Sequence, residues 1–146
     1  MKKDPTDVAA DRILALMPVY HRYFLRTTAE VSGITIAQYR ALGMLMKRGP
    51  LSMTELGGQL FISKPSMTIL ADSLVENGWV RRQNDPDDRR ITRIQITPQG
   101  KRHLQQAFAI FRADVRNRIS RLDPRDIREL SAALGDLERI FAKLEG

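Results

Sequence analysis

The sequence predicts a mainly α-helical chain with one small β-hairpin, and three observations carry that reading. Apolar residues recur at spacings of three and four through most of the 146 residues. Between residues 79 and 97 the period changes to two, on either side of the turn "NDPDDRR". Ser or Thr followed three residues later by Glu or Gln stands ahead of two of the apolar runs, a helix-start signal.

Residues 7 to about 28 place Val8, Ile13, Leu16, Met17, Tyr20 and Phe24 near helical spacing, with Pro18 predicting a kink or local distortion. A second helix opens on the capping box Thr35/Gln38, shows Tyr39, Leu42, Leu45 and Met46 as its apolar face, and stops at Gly49-Pro50. Ser52/Glu55 cap a short helix that runs through Leu60. Gly57 and Gly58 each weaken it by roughly 1 kcal/mol relative to Ala, so packing must support it. Ser63 caps the next helix, with Pro65 in its first turn, a buried stripe of Met67, Leu70, Ala71 and Leu74, and Gly78 at its end. Trp79 to Gln83 and Ile91 to Thr97 read as the two strands of the hairpin. Thr97-Pro98 start a long helix with Leu104, Phe108, Phe111, Val115, Ile119 and Leu122. Asp123-Pro124 start the last, with Ile127, Leu130, Leu134, Leu137, Phe141 and Leu144.

At this length, residues 1–146 form a single domain large enough to bury a core. The absence of cysteine excludes disulfides, thiolate metal sites and thiol redox sensing. Acids interrupt the N-terminal segment where a secretory leader would be apolar, and no apolar run approaches membrane-spanning length. A cytoplasmic location with no membrane partner is therefore expected. The net charge of +7 points to a polyanion. Residues 123–146 carry 4 Lys/Arg against 6 Asp/Glu, which leaves 20 against 11 on the other 122 residues. The basicity is kept out of the last helix, whose heptad-like seam suits a partner helix and not a phosphate backbone.

Two short helices around a tight turn, followed by a hairpin, are the plan of a winged helix-turn-helix, here over residues 35–97. The second of these helices is built to lie in the major groove. With the apolar stripe facing the core, the opposite face offers Lys64, Ser66, Thr68, Ile69, Asp72 and Ser73, and the helix residues expected to meet DNA are Ser63, Lys64, Pro65, Ser66, Thr68, Ile69 and Ser73. Ser66 and Thr68 can meet bases or phosphates, and Ile69 can meet a thymine methyl. In the hairpin turn, Asp88 can brace one neighbouring arginine while another reaches outward, since a narrow minor groove attracts arginine. Arg89 and Arg90 both qualify, and their order does not divide the roles. A solvated amphipathic helix and a charged hairpin would show the same local patterns; the adjacency of the two favours the DNA reading.

The segments "ITIAQYRALGML", "TELGGQLFISKPSMTILADSLVENGWVRR" and "DPDDRRITRIQITPQG" together resemble the MarR (multiple antibiotic resistance regulator) family of transcription factors, from about Val8 to Leu144. The resemblance implies a winged helix-turn-helix plus a helical dimerisation region made of residues 5–30 and 98–146. It also implies a homodimer whose two winged parts grip a pseudo-palindromic duplex, with Ser63, Lys64, Ser66 and Thr68 at the recognition-helix start and Arg90 as wing arginine. Gly57 departs from the usual alanine, and Ile69 stands where arginine or another polar residue is common. The family further implies a small-molecule effector, often an aromatic or phenolic anion. Its expected lining is Met17, Tyr20, His21 and Phe24 of the first helix with Tyr39 and Met44 of the second. Such a stripe also serves as plain core. No cofactor is expected, and only His21 and His103 are available as imidazole metal ligands, without clustered spacing. No phosphate-binding glycine loop, nucleophile elbow or His-based triad is present, so the chain reads as a regulator and not an enzyme. Release from DNA by the effector, and hence repression, is the expected mode. The rival reading is a winged-helix adaptor or anti-regulator acting through protein contact alone; DNA binding that weakens steeply with salt separates the two.

Overall fold

The computed structural model describes residues 4–25 and 33–144. Helix α1, Pro5–Tyr20, opens on Asp4, whose carboxylate accepts the Thr6 N–H at 2.7 Å, with Pro5 in the first turn where its missing N–H costs nothing. It runs through Pro18. Just beyond, His21–Leu25 form a π-helical turn, and the His21 N–H is shared between the Met17 and Pro18 carbonyls. The distortion expected at Pro18 thus lies on its C-terminal side. The remainder of the expected first helix, to residue 28, falls outside the described residues.

Helix α2, Ile36–Arg48, carries the Thr35/Gln38 capping box in full: Gln38 N–H to Thr35 Oγ1 at 3.1 Å and Thr35 N–H to Gln38 Oε1 at 2.9 Å. Its buried stripe is Gln38, Ala41, Leu42 and Leu45. Met46, expected on that face, is instead 39% exposed, because it lies about 100° around the helix from Leu45. A two-residue strand, β1 (Leu51–Ser52), follows; it is too short for alternation to reveal it. Ser52 and Glu55 then close a second complete capping box on α3, Met53–Leu60. Helix α4, Lys64–Glu76, buries Met67, Leu70, Ala71 and Leu74, the stripe read from spacing.

Strands β2 (Val80–Asn84) and β3 (Thr92–Ile96) form the hairpin, and β1 pairs antiparallel with β3, so the wing is a three-stranded sheet in the order β1-β3-β2. In register, Val80 faces Ile96, Arg82 faces Ile94 and Leu51 faces Ile94 from the other side. Ile94 and Ile96 are buried with Trp79 and Val80. Helix α5, Pro98–Ile119, is locked to the end of α4: Thr97 Oγ1 donates to the Gly78 carbonyl at 2.6 Å and accepts the Gly100 N–H at 3.0 Å. His103 stacks on Trp79 with ring centroids 4.0 Å apart. A side chain at Gly100 would place its Cβ 2.0 Å from the Trp79 carbonyl oxygen, so glycine is required there by close approach.

Two compact units are present, residues 1–110 and 111–146. In the first, every buried apolar residue among those described lies between Ile34 and Ala107, and α1 buries none. The second holds the end of α5 and helix α6, Pro124–Phe141, followed by a 3₁₀ turn, Ala142–Leu144. Helix α6 also buries none of its residues, and Leu130, Leu134, Ile140 and Phe141 stand exposed. Among the described residues, no helix is long and apolar enough to cross a membrane.

Candidate nucleic-acid interface

Helix α4 presents its polar side outward. Ser63 Oγ caps the helix by accepting the Ser66 N–H at 3.4 Å and donates to Ser66 Oγ at 3.0 Å, so the two hydroxyls are tied together at the helix start. Lys64, Pro65, Ser66, Thr68 and Ile69 are exposed, Ile69 at 72%. Thr68 Oγ1 donates to the Lys64 carbonyl at 3.2 Å, which leaves its lone pairs and methyl group facing outward. Ser73 corrects the expectation that it belongs to the groove-facing set. It is half-buried, its hydroxyl donates to the Leu70 carbonyl at 2.9 Å, and it accepts Gln38 Nε2 at 3.1 Å. Its bonds serve the α2–α4 seam.

The opposite end of that face is fixed to the wing. Asp72 of α4 accepts Arg82 NH2 of β2 at 2.5 Å, with both side chains about half exposed. An isolated pair so wet contributes little to stability. Its consequence is geometric, since it ties α4 to a wing strand across ten residues of sequence.

The wing turn, residues 85–91, is held by carboxylates. Asp85, buried, accepts the N–H groups of Asp87 at 2.8 Å and Asp88 at 3.1 Å and binds Arg93 Nε. Arg93 reaches on to Glu55 of α3 at 3.5 Å, joining wing base to helix. Arg93 chiefly, then the two backbone donors, hold the Asp85 carboxyl below the usual carboxylate range. Above this base, Asp88 Oδ1 accepts both the backbone N–H (3.0 Å) and Nε (3.1 Å) of Arg90, while Oδ2 accepts NH2 at 3.1 Å. That grip lowers the Asp88 pKa and raises the Arg90 pKa further. Even so, the Arg90 side chain is 91% exposed. One arginine is thus both braced and outward. Arg89 is exposed and makes no ion pair among the described residues.

The order of residues along the chain points to Asp88 and Arg90 and sets Asp72 on the outward face of its helix, but it gives no role to Asp85, Arg93 or Arg82 and no partner to Asp72. Asp85 had a local sign: an Asp directly before Pro at a turn, able to accept backbone N–H groups two and three residues on. The arginines had none, because their partners lie eight, ten and 38 residues away.

Of the six residues expected to line an effector pocket, Tyr20 of α1 lies near Tyr39 of α2, and three of the six border two separate cavities. Met17 and His21, with Pro18 and Arg22, border an open cavity of about 610 Å³ along α1 and the π turn. Tyr39, with Arg40, Gly43, Leu104, Gln105 and Phe108, borders a second of about 320 Å³ between α2 and α5. Tyr20 stacks obliquely on Phe24, ring centroids 5.5 Å apart. Met44 is half-buried and borders neither. Burial first, and then the nearby Tyr20, raise the Tyr39 phenol pKa. Phe108 was not foreseen because it joins Tyr39 only across the contact of α2 with α5.

Comparison with known proteins adds an independent line. Residues 32–91 match the model of the MarR family. The chain is 26% identical over 131 residues to the HTH-type transcriptional regulator YkoM of Bacillus subtilis, covering 85% of this chain and 84% of that one. It is 35% identical over 75 residues to YsmB of the same organism, a match spanning 51% of each chain. In structure it is similar to the transcriptional regulator BldR of Sulfolobus solfataricus, with a TM-score of 0.72 and 25% identity over 98% of this chain and 99% of that one.

Proposed function

From the premise that this chain belongs to the MarR family through its winged helix, residues 32–91, we propose that it is a sequence-specific, double-stranded-DNA-binding transcriptional repressor acting as a homodimer. The observation that carries this reading is the state of Arg90: held by the three hydrogen bonds it donates to Asp88 and nevertheless 91% exposed in the wing turn. Bracing removes much of the entropy that a long side chain would lose on entering a narrow groove. The exposed face of α4, with Ser63, Lys64, Pro65, Ser66, Thr68 and Ile69, supplies the major-groove partner to that contact. Arg89 supplies a second cation to the backbone.

Two copies would meet through the N- and C-terminal regions, residues 5–30 and 98–146. The support is the row of apolar residues that α1 and α6 leave in water in a single chain, among them Leu14, Met17, Leu130 and Leu134. Two-fold symmetry then sets two α4 helices into successive major grooves, about 10 base pairs apart, on a pseudo-palindrome. A dimer seated on such an operator excludes polymerase from the same DNA. The effector is a small aromatic or phenolic anion, and the cavity walled by Tyr39, Phe108 and Arg40 offers it rings and a guanidinium.

Selection from a random duplex pool, followed by titration of the enriched sequence across salt concentrations, tests the proposal. An enriched inverted repeat and a steep loss of affinity with salt are expected. Arg90→Ala should weaken binding and make the log–log salt slope shallower by about one. Equal binding to enriched and random duplexes would reject specific regulation in favour of an adaptor.

A further inference from the structure

Phe61 stands in the left-handed region with φ at 55°, the only non-glycine residue with positive φ among the described residues. Its side chain is 93% exposed, more than any other large apolar side chain described. The backbone conformation has a local cause. Phe61 N–H donates to the Gly58 carbonyl at 3.3 Å and Ile62 N–H to the Gly57 carbonyl at 2.9 Å, which together close the C-terminus of α3. Glycine or asparagine would close it without strain. A phenylalanine there strains the backbone and leaves a ring in water, so neither the cap nor the core accounts for its identity.

What lies beside it does. Two residues on is Ser63, the cap of α4, whose Cα is within about 7 Å of that of Phe61 because only two peptide links separate them. Lys64 follows directly. The exposed Phe61 therefore adjoins the end of α4 that the DNA-binding reading sets in the groove. We infer that Phe61 is a DNA-contacting residue, its ring lying against the deoxyribose edge of the backbone that flanks the groove occupied by α4. This rests on the DNA-binding reading above. The chemistry is complementary: sugar C–H groups are the apolar portion of a nucleic-acid backbone, while the neighbouring phosphates fall to the Lys64 ammonium. Such a contact carries no base information and displaces no counterion. It strengthens binding to every sequence alike and leaves the salt dependence untouched.

The test compares the full-length protein with Phe61→Asn, Phe61→Gly and Phe61→Tyr by fluorescence-anisotropy titration of selected and random duplexes across salt concentrations. Phe61→Asn and Phe61→Gly should lose roughly tenfold in affinity on both duplexes. Their salt slopes should match the wild type, and their melting temperatures should equal or exceed it. Phe61→Tyr, which keeps the ring, should bind like the wild type. Wild-type affinity in both the Asn and Gly variants overturns the inference while DNA binding stands. So does a loss confined to the selected duplex, or a shallower salt slope. A variant whose DNA affinity is intact but whose self-association is weakened assigns the ring to a contact between copies and equally overturns it. Wild-type protein with no salt-dependent duplex binding removes the functional reading itself, and this inference with it.

Discussion

Gly100→Ala should be among the most damaging conservative changes in this chain. The new Cβ would sit 2.0 Å from the Trp79 carbonyl oxygen and 3.0 Å from Ile96 Cγ1. Ordinary contact with a carbonyl oxygen begins near 3.4 Å, so the start of α5 must move by more than an ångström. Three hydrogen bonds converge there: Thr97 N–H to Trp79 O at 2.9 Å, Thr97 Oγ1 to Gly78 O at 2.6 Å, and Gly100 N–H to Thr97 Oγ1 at 3.0 Å. Losing or stretching them costs about 1 kcal/mol each, and overpacking adds about 1–3 kcal/mol. Alanine's better helix propensity returns about 1 kcal/mol, for a net loss of about 3–5 kcal/mol. Gly58→Ala is the control, since a Cβ there meets nothing within 4 Å in the middle of α3. It should stabilise by up to about 1 kcal/mol. Urea unfolding of both variants at one fixed protein concentration measures the two effects with opposite signs. A Gly100→Ala loss below about 1 kcal/mol would refute the close-approach argument, because overpacking alone is worth that much.

Three further outcomes follow from the wing and the helical ends. Replacing Asp88 with Asn removes an acid from the wing turn, so charge counting predicts tighter DNA binding; loss of the Arg90 brace predicts weaker binding by several-fold. Anisotropy titration decides, and tighter binding would contradict the brace. Asp85, Asp88 and Glu55 are all held below their ordinary pKa values, so the unfolded chain takes up protons first as pH falls. Their stabilisation is complete above an unfolded value near 4 and is lost as pH drops through the lower folded values. Asp85→Asn should therefore flatten the urea midpoint below about pH 4 and leave the profile between about pH 5 and 7 parallel to wild type; a change of slope in the upper window would count against the assignment. Leu134→Glu places a charge on the unpartnered face of α6 and should leave monomers in sedimentation velocity. Dimers of undiminished strength would remove that face from the interface.

The sequence by itself determined where nearly every helix begins, because capping is a local transaction. Thr35 with Gln38, Ser52 with Glu55, and Ser63 with Ser66 each close within a single turn. It determined the buried stripe of α4 for the same reason, since Met67, Leu70, Ala71 and Leu74 need only helical periodicity to share a face. The wing's existence was legible in a two-residue alternation, and its brace in an acid two residues before an arginine.

Tertiary structure decided what depends on partners far apart in the chain. Arg93 could not be placed without Glu55 beside it, nor Arg82 without Asp72, nor Ser73 without Gln38. Met46 is exposed and Ala41 buried because the packing of α2 against its neighbours, and not hydrophobicity alone, chose the face. The cavity beside Tyr39 has the same origin: Tyr39 meets Phe108 only where α2 lies along α5. Gly100 and Phe61 show the two sides of that division. At Gly100 the reason for the residue is a carbonyl 21 positions back in the chain, visible only once folded. At Phe61 the fold demands a left-handed cap and says nothing for an aromatic ring, so the reason for that ring lies outside the single chain.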